Sequence, residues 1–211
     1  MDSIVYLHDG SFEGLLHAVA AAVKSEQGVT GIYAEKNYFP RIFDTLVPIQ
    51  TDRHQALRLF DYLKKIKGSA ARFALNGYLS DDREVGIHLY WMVKECLTCG
   101  SKATTLYTHD SIRYLDKLSQ KVGREAHRFS GLIRFRIFED GLQYAPFEPD
   151  CNVSGYCAQH FIKRLKNRRG YSMISVATMR CIGMEVLFKV SILMMNSHSM
   201  CIAVVRSPIP S

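Results

Sequence analysis

No apolar run in the 211-residue chain approaches the ~20 residues that a membrane-spanning helix requires, and Lys189 interrupts the best candidate, near the C-terminus. A membrane protein is therefore not expected. No basic, apolar leader opens the sequence, so a cytoplasmic location is expected. Of six cysteines only Cys96 and Cys99 are closely spaced. One CxxC without a second pair is no zinc-ligand set, and the six read as free thiols of a reducing compartment. P-loop, GxGxxG, GxSxG and HExxH patterns are all missing, as are internal repeats and low-complexity linkers. No cofactor and no metal are implied.

What is present is an ordinary globular composition. Hydrophobic residues make up 47% and charged residues 22%, enough apolar mass for a core. The net charge of +7 invites an anionic partner. Its distribution weakens that reading, because residues 168–211 alone carry five basic residues against the single acid Glu185. A local basic patch is better evidence than the total.

The order of patterns predicts an α+β fold with segregated elements. Ile4 and Tyr6 lie in a short strand, Asp9-Gly10 makes a turn, and Ser11 caps a helix over about 12–24. A loop is expected around Gly28 and Gly31, then the extended TLVPIQT. A mostly helical middle follows. Ala56, Leu59, Phe60, Leu63 and Ile66 recur at helical spacing, with Gly68 as a stop. SAARFALNGYLSD forms a shorter helix. A third is opened by Ser80 or Asp81 and closed by Gly100, and THDSIRYLDKLSQKVGREAHRF is the fourth and clearest. The period then changes to two. Ile133, Phe135 and Ile137 alternate with Arg134 and Arg136, and Asp140-Gly141 signals an antiparallel hairpin continuing through Leu142 and Tyr144. SGYCAQHFIKRLKN returns to helix.

The fourth helix carries the strongest chemical signal. At 100° per residue, Arg113, Lys117, Lys121, Arg124 and Arg128 share an arc of about 80°. Leu115, Leu118, Val122, Ala126 and Phe129 lie opposite, and Asp116 and Glu125 flank the stripe. Such a stripe suits a phosphate backbone, although a solvated helix face has the same pattern. Arg134 and Arg136, on one face of the following strand, would extend it. His127, Glu148, Asp150 and His160 are candidates for acid/base catalysis, with no recognised ligand spacing among them.

Several stretches together, YLHDGSFEGLLHAV, KLSQKVGREAHRFSGLIRFR, DGLQYAPFEPDCNV and AQHFIKRL, resemble a bacterial family of DNA metabolism proteins. Family members accompany a radical-SAM protein of DNA modification or repair, and some are fused to a uracil-DNA-glycosylase-like domain. The resemblance runs from residue 4 to about 166. Its motif positions include Asp9, Gly10, His127, Arg128, Gly131, Arg134, Phe135, Tyr144, Glu148, Pro149, Asp150, Asn152, His160 and Phe161. It implies a DNA-linked role, with DNA and the radical-SAM protein as partners, and assigns no catalytic residue. The family usually reads EPDHN, where this chain has Cys151 in place of the histidine.

The resemblance stops where the composition turns odd. Six of the eight methionines fall in residues 170–211. Family members continue with a QPWIIHD-like segment. Here the residue pairs, decoded one base earlier, permit P-P-W-L-F-H-D-I-R-G-N-D-A-L-H-W-Y-G from about residue 168. Residues 168–211 thus read as an out-of-frame, truncated tail that should pack poorly, behind a single α+β domain over 1–167. The functional expectation is a nucleic-acid-binding or adaptor module of DNA metabolism or repair. The alternatives are an enzyme acting on a nucleobase or nucleotide, or a protein-only scaffold.

Overall fold

Strand β1, Ser3–His8, helix α1, Phe12–Lys24, and strand β2, Val29–Ala34, form a β-α-β unit in which β1 and β2 are parallel. This computed structural model describes residues 3–25, 28–134, 136–137, 143–144, 147–165, 173–177, 188–193 and 201–206. Ser11 caps α1 as its spacing predicts, its hydroxyl accepting the Gly14 N–H at 2.9 Å. After a 3-10 turn at Glu35–Asn37, strand β3, Asp44–Pro48, pairs with the other edge of β1, also parallel. The resulting three-stranded sheet has the order β2-β1-β3.

β2 occupies the stretch expected to be a loop. Gly28 lies just before the strand, in open space, but Gly31 sits within it directly beside the Tyr33 ring, which fills the space a side chain at 31 would need. Val29, Ile32 and Tyr33 are buried, so tertiary burial outweighs the local turn signal.

Four helices follow: α2 at Arg53–Ile66, α3 at Gly68–Leu79, α4 at Val85–Cys99 and α5 at Asp110–Leu132. Asp52 caps α2 through the N–H groups of His54 and Gln55. The stripe read from the sequence faces inward: Ala56 and Leu63 are fully buried, and Leu59, Phe60 and Ile66 pack against the core. α2 ends at Ile66, two residues before the expected stop, and Gly68 instead opens α3.

The expected opening of α4 at Ser80 or Asp81 is corrected. The Ser80 hydroxyl donates to Gly77 O at 2.6 Å and so closes α3, Asp81 adopts a positive φ of 53°, and α4 begins at Val85. The same hydroxyl accepts the Asp82 N–H at 3.3 Å, so it serves the end of α3 and the turn that follows, and not the start of α4. α1 packs on α2 and α4, and α4 also packs on β2. Gly86 permits that last contact, since a Cβ there would lie 2.3 Å from Ile32 O. Ile32, Leu63, Leu89, Met92, Ile112 and Leu115 are the largest side chains of this core with almost no exposure.

The chain divides into two compact units, Met1–Lys121 and Val122–Ser211. The second unit contains the end of α5, strands β4 at Arg136–Ile137 and β5 at Gln143–Tyr144, and helix α6 at Ser154–Leu165. Strands β6 at Met173–Ala177, β7 at Phe188–Leu193 and β8 at Cys201–Arg206 complete it. Their sheet runs β4-β5-β6-β7-β8, with β5 and β6 parallel and the other pairs antiparallel.

The antiparallel hairpin expected from Ile133 through Tyr144 does not match this arrangement. Ile133 and Arg134 lie outside any strand, and among the described residues the β4–β5 ladder has two residue pairs. β5 then continues as one member of a mixed sheet through the α6 crossover to β6. Alternation is a weak local signal when a helix end can take up the first residues. The expected poor packing of residues 168–211 concerns side chains outside those described. The fold as a whole is mixed α/β and mostly helical. No described helix is long and apolar enough to cross a membrane.

Candidate nucleic-acid interface

α5 separates its two faces as the periodicity predicts. Ile112, Leu115 and Val122 are fully buried. Arg113, Lys117, Lys121, Arg124 and Arg128 are all exposed. From Arg113 to Arg128 the helix rises about 22 Å, long enough to follow several phosphates.

Carboxylates of the same helix meet the two outer cations. Arg113 pairs with Asp110 one turn away, and Arg128 lies 3.5 Å from Glu125 while its guanidinium also covers the Phe129 ring. Lys117 and Lys121, at the centre of the stripe, make no ion pair among the described residues. The Arg113–Asp110 pair is exposed on both sides and holds weakly, so a polyanion can compete for that arginine, whereas the partner of Arg128, Glu125, is buried.

Arg134 does not extend the stripe as a strand residue. Its guanidinium donates to Gly131 O at 2.6 Å and Ile133 O at 3.2 Å, tying it to carbonyls at the end of α5. The side chain of Arg136 lies outside those described.

The acid/base candidates all lie in the second unit. His127 on α5, Glu148 and Asp150 in the loop before α6, and His160 on α6 are all exposed. His160 stands edge-on to Phe161. Among the described residues, no group of three or more His, Cys, Asp or Glu is arranged to hold a metal ion. Cys96 is buried and Cys99 exposed at the end of α4, and burial pushes the Cys96 thiol up to about 11, aided by Glu95. That thiol is protonated at neutral pH.

The residue that sequence reasoning passed over is Glu125. It is buried at 7% exposure and accepts the Asp150 N–H at 2.7 Å and the Cys151 N–H at 2.8 Å, one on each carboxylate oxygen. Burial alone would raise its pKa. Hydrogen bonds from the Cys151 thiol and from the two backbone N–H groups, together with Arg128, outweigh burial and hold the carboxyl below its ordinary value. Glu125 therefore anchors the EPDCN loop as a carboxylate. The signal was available in the spacing, since Glu125 lies three residues after Val122 and four before Phe129, both on the inward side.

In the first unit, the Asp9-Gly10-Ser11 turn is closed on itself. Asp9 Oδ1 accepts the Ser11 N–H at 2.9 Å and the Ser11 hydroxyl at 2.6 Å, and Asp9 Oδ2 accepts Thr51 Oγ1–H at 2.9 Å. This ties the end of β1 to the segment between β3 and α2.

No curated protein matches the chain. Over residues 83–184, just under half of its length and spanning α4, α5 and α6, the chain is similar to a family described as a domain of unknown function, DUF4130.

Proposed function

We propose that this chain is a nucleic-acid-binding module of DNA metabolism, acting beside a radical-SAM protein of DNA modification or repair as its resemblance implies. The observation supporting the first part is the α5 stripe: five exposed cations on one face of a 23-residue helix whose opposite face is buried. Burial of the apolar side fixes the rotation of the helix and so commits the cations to solvent. Two lysines at the centre of the stripe are point charges suited to phosphate contacts that carry no sequence information.

The test is fluorescence anisotropy with labelled DNA across a salt series. The logarithm of the association constant should fall linearly with the logarithm of salt concentration, with a slope of about −0.9 per duplex phosphate neutralised. The double substitution Lys121→Glu with Arg124→Glu should weaken binding to all sequences alike and flatten that slope. Salt-independent binding, or full affinity in the double variant, overturns the reading. Co-purification with the radical-SAM protein in the absence of nucleic acid would favour a protein-only scaffold.

A further inference from the structure

The positive charge of the first unit is concentrated on α2 and the start of α3. Residues 52–72 hold six basic and two acidic residues, whereas the rest of residues 1–121 hold nine basic and twelve acidic. The six are Arg53, Arg58, Lys64, Lys65, Lys67 and Arg72. All but Lys67 are exposed. On α3, a helix otherwise given over to the core, only Gly68 and Arg72 are exposed.

α2 presents its cations as two rows. At 100° per residue, Arg53 and Lys64 lie within about 20° of each other, and so do Arg58 and Lys65, with roughly 120° between the rows. Leu57 and Asp61 occupy the arc between them. From Arg53 to Lys65 the helix rises about 18 Å. Arg53, Arg58 and Lys65 make no ion pair or side-chain hydrogen bond among the described residues. The two acids of the segment are already engaged. Asp52 caps α2, and Asp61 lies 3.4 Å from Lys64 in an exposed pair that holds weakly.

We propose that the outer face of α2 is a second phosphate-contact surface, on which Arg53, Arg58, Lys64 and Lys65 meet the backbone of a nucleic acid without reading its bases. This rests on the nucleic-acid reading above and adds a site that the α5 stripe does not include. An anionic membrane would attract the same cations, but a helix that lies in a lipid surface also needs an apolar face to insert. The apolar face of α2 is packed in the core, and Leu57, 45% exposed, is its only large apolar side chain left in water. A protein interface favours an apolar centre and is poor in lysine. Here lysine supplies half of the four cations, set around one leucine. A polyanion met through its charge alone fits what α2 presents.

The test is fluorescence anisotropy of the full chain with a labelled DNA duplex across a salt series. Arg58→Gln with Lys65→Gln should flatten the slope of the logarithm of the association constant against the logarithm of salt by about 1.8, from two phosphate contacts at about 0.9 each. Lys36→Gln with Lys102→Gln removes the same charge from two exposed positions of the first unit outside both surfaces, and should leave the slope unchanged. Equal slopes for the two pairs overturn the α2 surface, while the α5 reading survives if Lys121→Glu with Arg124→Glu still weakens binding. Failure of the unsubstituted chain to bind the duplex overturns both. Vesicles of phosphatidylcholine and phosphatidylserine supply the remaining arm. Loss of vesicle binding in the α2 pair, with duplex binding intact, assigns the face to a membrane and also overturns the proposal.

Discussion

Glu125 Oε2 accepts the backbone N–H of Cys151 at 2.8 Å, across 26 positions of sequence, while its other oxygen holds Asp150. One buried carboxylate thereby shapes the turn that carries Glu148, Pro149 and Asp150 into α6. Glutamine in its place would turn an amide N–H toward a backbone N–H. Glu125→Gln should therefore cost about 2–3 kcal/mol in urea denaturation at neutral pH. The folded carboxyl is held below its ordinary value of 4.5, so its contribution is present above that pH and is lost as pH falls through the lower, folded value. The stability gap between wild type and variant should close in acid. A gap of constant size would show that packing, and not charge, sets the cost.

His8 acts in the same direction, beginning at higher pH. Its Nδ1 accepts the Gly10 N–H, and burial, only partly opposed by Asp9, lowers its pKa from 6.5 to about 4. The unfolded chain therefore takes up a proton first as pH falls. The stability carried by neutral His8 is complete above pH 6.5 and is lost toward pH 4, a change on the order of 2–3 kcal/mol. His8→Leu should flatten the stability curve between those values in urea titrations. An unchanged slope would place the acid sensitivity elsewhere.

Gly86 lets α4 approach β2 at the backbone. The atom an added Cβ would meet is Ile32 O, which cannot swing aside as a side-chain tip can. Gly86→Ala gains helix propensity yet should still destabilise by about 1–3 kcal/mol, visible as a lower melting temperature. A raised melting temperature would mean that the two elements are not held so closely.

Asp9 and Thr51 connect two loops through a single hydrogen bond of 2.9 Å. Asp9→Ala should cost about 1 kcal/mol, since it also removes both contacts with Ser11. A double-mutant cycle with Thr51→Val should return a coupling of roughly 0.5 kcal/mol or more. Strict additivity would show that the bond holds nothing.

The amphipathic helices were legible in the sequence because their signals are local. The α2 stripe, the Ser11 cap and the two faces of α5 depend on neighbours three or four positions apart, and each appears where its spacing places it. β2 was not legible: Gly28 and Gly31 carry a turn signal, and only the partner strand β1 and the burial of Ile32 make the segment a strand. Ser80 and Asp81 show a similar limit at helix ends, where one hydroxyl can serve either of two helices.

The sequence by itself determined the helical periodicity, the exposed cationic face of α5 and the cysteine arithmetic, all properties of adjacent turns of chain. Tertiary structure alone decided that Glu125 is a buried anchor and not a surface acid, that Arg134 ties to the end of α5 and not to a strand face, and that the Arg83 guanidinium lies over the Phe39 ring. Each of these requires groups distant in sequence to meet, or a choice between nearby partners that local spacing leaves open. Those choices are made by burial and by satisfaction of hydrogen bonds across the whole fold.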